Sequence, residues 1–205
     1  MKICLEQASK RYQRHWVFKE LSYTFEAPGA YALLGANGSG KSTLLRVISG
    51  LQSASQGKII YQQDDRVIPL NEAFTSLSYC APGMELPEEM TLQEFFAFHF
   101  SFKKPVDGLK LKDIIELTGL QKSLQKQIAD YSSGMKQRVK LAQAIFSDTP
   151  VLLLDEPATN LDEAGVLQYQ HWMERFGGGR LVIIASNDER EYAFCKERIL
   201  LSDYQ

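Results

Sequence analysis

The order of apolar and polar positions divides the chain into three stretches. Residues 3–6 (ICLE) and 17–25 (VFKELSYTF) read as short strands, the second with partial alternation of apolar and polar positions. Residues 31–34 (YALL) form an apolar run closed by Gly35, the pattern of a buried strand. A helix follows, with Leu44, Leu45, Val47 and Ile48 on one face and Gly50 as its stop. The stretch GKIIYQQDDRV reads as a strand and the turn of a hairpin. From about residue 84 to 147 the period turns helical. Thr91 and Glu94 form a capping box that opens LQEFFAFHFSF. Leu109, Leu111, Ile114, Ile115 and Leu117 mark a second helix, and a third spans 133–146 with Val139, Ala142, Ile145 and Phe146 inward. Strands return at 151–154, 181–184 and 199–201, with a helix over 162–176 between the first two. Apolar strands alternating with helices predict a parallel sheet covered on both faces.

Composition narrows the class. The chain has 205 residues, 44% of them hydrophobic, which is enough for one domain with a sizeable core. The expected organisation is a single domain over 1–205 with a helical subdomain inserted at about 84–147. A net charge of −2 lacks the basic excess of a non-specific nucleic-acid binder, so no nucleic-acid partner is expected. Cys4, Cys80 and Cys195 stand singly and read as small core residues in a reducing compartment. Neither a signal peptide nor a membrane span is legible, so work at a membrane calls for a separate spanning chain.

The segment GANGSGKST (35–43) carries the first chemical signal, a G-x-x-x-x-G-K-[ST] match with a strand before it and a helix after it. Glycines let successive backbone N–H groups turn toward phosphate oxygens, and the helix N-terminus adds partial positive charge. Gly35, Asn37, Gly38, Ser39, Gly40, Lys41, Ser42 and Thr43 are therefore candidate nucleotide contacts. Lys41 is expected to reach the β- and γ-phosphates, and the Ser42 hydroxyl to ligate Mg²⁺. A glycine-rich turn with a chance lysine is the competing reading, and the flanking elements count against it.

LLLDEP (152–157) carries the second. Ligands of open α/β sheets sit beyond the carboxyl ends of the strands, so the edge that holds Gly35–Ser42 is also where Asp155 and Glu156 emerge. Asp155 is a candidate Mg²⁺ ligand. Glu156 is a candidate base for an attacking water. A merely solvated strand end explains the charge of the pair but not its place.

YSSGMKQR (131–138) would alone be an ordinary helix cap. In the order phosphate loop, SSGMKQR, LLLDEP, TNLD, it makes the chain resemble the ATP-binding cassette family, the nucleotide-binding subunits of ABC transporters, from about Lys2 to Tyr204. The resemblance implies an α/β P-loop NTPase fold: a mainly parallel sheet, an N-terminal antiparallel β subdomain and an inserted helical subdomain. It implies ATP and Mg²⁺ as cofactors. It further implies a head-to-tail pair of cassettes, a homodimer in the ATP state, in which Ser132, Gly134 and Met135 face ATP held by the other copy. Asn160, Leu161 and Asp162 look like the loop that couples the two sites. Tyr12 resembles the aromatic that stacks on adenine, with Trp16 as a competitor. A separate transmembrane permease is the implied partner, with the cassette on the cytoplasmic face of the membrane.

Two positions depart from the family pattern. Where the family carries a Gln that touches Mg²⁺, the resemblance aligns Pro82 within LSYCAPGMEL, and Glu85 is the nearest glutamate. Where the family carries a His against the γ-phosphate, this chain has Asn187, which donates a hydrogen bond but carries no charge. Slower hydrolysis with binding retained is the expectation. In FFAFHFSF, Phe95, Phe98 and Phe102 are expected in the core, and Phe96 and Phe100 on an exposed face that meets a partner. The leading reading is an ATPase subunit powering a permease. A nucleotide-gated regulatory module with little turnover is the alternative, and a soluble cassette acting on ribosomes or DNA is a third.

Overall fold

The computed structural model describes residues 1–205 apart from Asp65 and Asp107. Asp65, in the turn expected for GKIIYQQDDRV, and Asp107, within the expected insertion, lie outside the described residues. The strands are β1 (Lys2–Tyr12), β2 (His15–Glu26), β3 (Gly29–Leu34), β4 (Gln56–Gln63), β5 (Arg66–Ile68), β6 (Leu77–Cys80), β7 (Val151–Asp155), β8 (Leu181–Ala185) and β9 (Glu197–Leu200). The α-helices are α1 (Lys41–Ile48), α2 (Leu70–Ala73), α3 (Leu92–Phe102), α4 (Leu111–Thr118), α5 (Ser133–Ile145), α6 (Glu163–Phe176) and α7 (Glu189–Tyr192). They divide into two compact units. One comprises Met1–Tyr79, Pro150–Glu156 and Gly179–Gln205, and the other Cys80–Thr149 and Pro157–Gly178.

The first unit is built on two sheets. One has the order β2-β1-β4-β5, and all its pairings are antiparallel. The other has the order β6-β7-β8-β3-β9, with β7, β8, β3 and β9 parallel. The residues of β7 and β8 are buried throughout, as continuous apolar runs in a covered parallel sheet require. The helix α1 buries Leu44, Leu45, Val47 and Ile48, the face read from the sequence. Its end is satisfied by the Tyr61 hydroxyl, which donates to the Ile48 carbonyl at 2.7 Å.

β1 and β2 run well past the expected 3–6 and 17–25. Residues 7–12 are mostly polar and show no alternation, with Ala8 and Ser9 buried side by side, so burial does not define them as strand. Cross-strand pairing does: Arg11 faces Trp16 and Tyr12 faces His15. Register shifts interrupt the ladder, and Gln7 and Glu20 take positive φ (47° and 50°) there.

The second unit is helical. Thr91 and Glu94 form the expected capping box at α3. Val139, Ala142, Ile145 and Phe146 are buried as expected. Phe146 packs edge-on to Trp172 at 5.0 Å and to Phe176 at 5.1 Å, fastening α5 to α6.

The face assigned to α3 has to be corrected. Phe95 and Phe96 are buried, whereas Phe98 and Phe102 are 53% and 76% exposed. The inward stripe is Leu92, Phe95, Phe96 and His99, an i, i+3, i+4, i+7 set. Phe96 thus belongs to the core, and the expected core members Phe98 and Phe102 form an exposed pair with rings 5.1 Å apart. Phe100 is partly buried. A helix apolar on every side carries no periodicity that singles out a face. The inward polar residue His99 finds partners: its Nε2 lies 3.1 Å from the Gln143 carbonyl and 2.9 Å from the Ser147 hydroxyl.

Candidate functional site

Parallel register sets the site. Leu33 of β3 and Asp155 of β7 both pair with Ala185 of β8, so three strands end in one row. The loop 35–40, the pair Asp155–Glu156 and the loop 186–188 therefore leave the same edge.

The loop before α1 turns on glycines with positive φ at 35, 38 and 40. Gly40 is the tightest. Its φ is 104°, and a Cβ there would lie 2.3 Å from Val17 Cγ1. Beyond it, Lys41 opens α1 with its side chain curled into the loop, where Nζ donates to the carbonyls of Gly35 (2.6 Å) and Ala36 (3.2 Å). The Ser39 hydroxyl oxygen is buried and has no hydrogen-bond partner among the described residues. Its carbonyl accepts from the Gln205 side chain at 3.2 Å. A buried ammonium, an unsatisfied hydroxyl and helix-terminal N–H groups on one loop fit a phosphate chain. Gly38 faces open space and Asn37 is exposed, which leaves that loop accessible. Thr43 sits half-buried in the first turn of α1.

Ser42 and Asp155 meet directly. The serine hydroxyl donates to Asp155 Oδ1 at 2.9 Å. Burial pushes the Asp155 carboxyl above its ordinary range, against the Ser42 bond, which pulls it down; nearby Glu156 adds to the rise, and Arg46 and Lys41 oppose it. Among the described residues no three His, Cys, Asp or Glu side chains form a metal cage. One carboxylate and one hydroxyl fit Mg²⁺, which retains waters and takes its other ligands from phosphates. Glu156 has φ 42°, outside the comfortable range of a side-chain-bearing residue, and its N–H donates to the Ala185 carbonyl at 2.9 Å.

Asn187 stands on a braced loop. Ser186 is buried and its hydroxyl accepts from the Asp188 N–H at 2.9 Å. Asp188 caps α7 and pairs with Arg190 at 2.6 Å, which holds its carboxyl below the usual range. From there Asn187 Nδ2 donates to Asn37 Oδ1 at 2.9 Å, so Asn187 contacts the loop before α1.

Tyr12 lies at the end of β1, 47% exposed. Its competitor Trp16 is half-buried, with the Arg11 guanidinium 5.3 Å and the Lys19 ammonium 5.9 Å from the ring centre. Sequence reading missed the partners of Tyr12, Lys10 and Gln52. It also missed Val17 and Leu201 beneath Gly40, because no local pattern links positions so far apart.

Ser132, Gly134 and Asp162 lie in the second unit. The Ser132 hydroxyl accepts from the Met135 N–H at 3.3 Å and caps α5. Gly134 faces the Asn160 carbonyl so closely that a Cβ would sit 2.9 Å from it. Asp162 caps α6 by accepting from the Gly165 N–H at 2.9 Å and pairs with Arg138 at 3.1 Å. Buried Gln137 donates to the Pro157 carbonyl at 2.7 Å. The start of α5 and the loop 157–162 are thus tied at three points. The Pro82 carbonyl accepts from Lys140 at 2.8 Å.

Comparison with known proteins gives one consistent result. The family model described as ABC transporter matches residues 18–159. The chain is 28% identical over 202 residues to the uncharacterized ABC transporter ATP-binding protein YhcH of Bacillus subtilis, covering 96% of this chain and 65% of that one. It is 31% identical over 195 residues to YybJ, an uncharacterized ABC transporter ATP-binding protein of the same organism, covering 91% and 86%. The fold is shared with the dimeric structure of MJ0796, a bacterial ABC transporter cassette, with a TM-score of 0.80, 20% identity, and 97% and 93% of the chains covered.

Proposed function

Because the chain belongs to the ABC transporter family, we propose that it binds and hydrolyses ATP as the motor of a separate membrane permease. The observation that carries this reading is the convergence of Lys41, Ser42, Asp155, Glu156 and Asn187 on one sheet edge. The chain acts as one cassette with an inserted helical part. ATP, bound as its Mg²⁺ complex, supplies the phosphoanhydride bond whose hydrolysis is the energy source.

Lys41 exchanges its two backbone carbonyls for phosphate oxygens and offsets their charge. Ser42 and Asp155 hold Mg²⁺. Glu156 accepts a proton from the attacking water, and Asn187 donates a neutral hydrogen bond where a charged one would be about twice as strong. Tyr12 offers its ring to the base. Ser132 and Gly134 of a second copy close the site, which the dimeric state of MJ0796 supports. No described helix is long and apolar enough to cross a membrane, and a cassette held at the cytoplasmic face by its permease accords with that. On the helical part, the exposed pair Phe98 and Phe102 is the apolar surface offered to that partner.

The test is Mg²⁺-dependent ATP hydrolysis by the parent chain and by Glu156→Gln, with ATP-induced dimerisation followed in parallel. The motor reading expects turnover by the parent and a trapped dimer for the variant. A parent that dimerises stably on ATP without turning it over would instead make the chain a nucleotide-gated regulatory module. Asn187→His is expected to raise the parent's rate. No gain from that change would remove Asn187 as the cause of slow turnover.

A further inference from the structure

The ring of Tyr12 is braced by residues some forty positions away. Its hydroxyl donates to Gln52 Oε1 at 2.7 Å. The Lys10 ammonium lies 5.3 Å from the ring centre and itself donates to the Ser53 carbonyl at 2.8 Å. Gln52 and Ser53 belong to the loop between α1 and β4. That loop is fastened on both sides. The Gln52 N–H donates to the Arg46 carbonyl of α1 at 3.0 Å, the Ser55 N–H to the Ser9 carbonyl of β1 at 2.7 Å, and the Arg11 N–H to the Ser55 hydroxyl at 3.1 Å. The helix so fastened is the one that begins with Lys41 and Ser42.

The chain of contacts therefore runs from the phosphate loop, along α1, through Gln52, to the Tyr12 ring. An exposed tyrosine on a hairpin end would otherwise swing about its two side-chain torsions. Fixing its hydroxyl removes that freedom, and the Lys10 ammonium over the ring favours stacking on the side it leaves open. Resting on the reading of Tyr12 as the base's partner, we propose that Gln52 is a positioning residue. It holds Tyr12 as a platform for the base of a nucleoside triphosphate, at a separation from the phosphate loop set by α1. Lys10, anchored on Ser53, completes the platform. The hydrogen bond contributes little to folding because the tyrosine is already half in water. Its effect falls on ligand binding, where a pre-ordered ring spares the ligand the cost of ordering it.

The experiment measures, by calorimetry, the binding of ATP and of inorganic tripolyphosphate, which has the phosphates but no base. The variants are Gln52→Leu, Gln52→Glu, Tyr12→Phe and the double variant Gln52→Leu/Tyr12→Phe. Gln52→Leu and Tyr12→Phe are expected to weaken ATP binding by about three- to tenfold, the worth of one hydrogen bond, and the double variant by no more than either. Gln52→Glu keeps the acceptor and is expected to restore affinity. Tripolyphosphate affinity is expected to stay at the parent's value, and in hydrolysis assays the loss falls on KM rather than kcat. Equal weakening of ATP and tripolyphosphate by Gln52→Leu would mean a structural role and overturn the proposal. So would a parent preference for ATP that Gln52→Leu leaves untouched. A parent that binds ATP no tighter than tripolyphosphate would overturn the reading of Tyr12 itself, and this inference with it.

Discussion

Replacing Phe96 by Ala decides which face of α3 is available to a partner. Phe96 is fully buried, with ring centres 5.7 Å from both Phe95 and Phe100, whereas Phe102 is 76% exposed. Deleting a buried phenyl ring costs about 3–5 kcal/mol, the lost transfer energy plus the cavity left behind. In a chain of this size about 1 kcal/mol moves the melting midpoint by roughly 2–4 °C, so Phe96→Ala should lower it by about 6–20 °C. Phe102→Ala removes a ring that is mostly in water already and should stay within about 2 °C of the parent. The assay is thermal unfolding followed by circular dichroism, with hydrogen exchange across 92–102 to show that the loss starts in α3. Equal midpoints for the two variants would refute the assigned face, and with it the surface offered by Phe98 and Phe102. On that face, Phe102→Ser spares the fold and weakens capture by the proposed membrane partner.

Three further outcomes follow from single contacts. Burial, and secondarily the Lys103 charge, press the His99 imidazole down to about 4. The folded chain therefore stays unprotonated there between pH 6.5 and 4 while the unfolded chain takes up a proton. The contribution is whole above about pH 6.5, is lost as pH falls to about 4, and totals about 2–3 kcal/mol after screening at a partly exposed ring; urea unfolding of His99→Gln should lack that component of the acid loss. Ser42→Ala removes a proposed Mg²⁺ ligand and the bond that pulls the Asp155 carboxyl down, so titration calorimetry should find Mg²⁺–ATP affinity about tenfold lower or worse. Gly134→Ala forces a methyl against the Asn160 carbonyl and should cost about 1–3 kcal/mol, read as faster hydrogen exchange over 157–162; unchanged exchange would mean that the loop gives way freely.

Much of the site was legible because its chemistry is local. The phosphate loop is one unbroken segment, and its glycines, lysine and serine must follow one another for the backbone to turn and the helix to start. Asp155 and Glu156 could be read with it because a parallel sheet sends the ends of its strands to one edge, a rule that needs only the strand pattern. The turning of α3 was not legible. FFAFHFSF is apolar on every side, and only packing against the rest of the helical unit chose Phe96 over Phe98. The second half of β1 was hidden for a related reason: its mostly polar residues carry no strand signal, and pairing with β2 supplies one from outside.

The sequence by itself determined most of the elements, their order, and the candidate side chains for phosphate, because each depends on neighbours within about one turn or one strand. Only the tertiary structure decided which groups those side chains face. Asn187 against Asn37, Gly134 against Asn160 and Tyr12 against Gln52 are contacts between segments far apart in the chain. Such contacts depend on how strands pair and helices pack, and a one-dimensional pattern of apolar and polar residues does not carry that information.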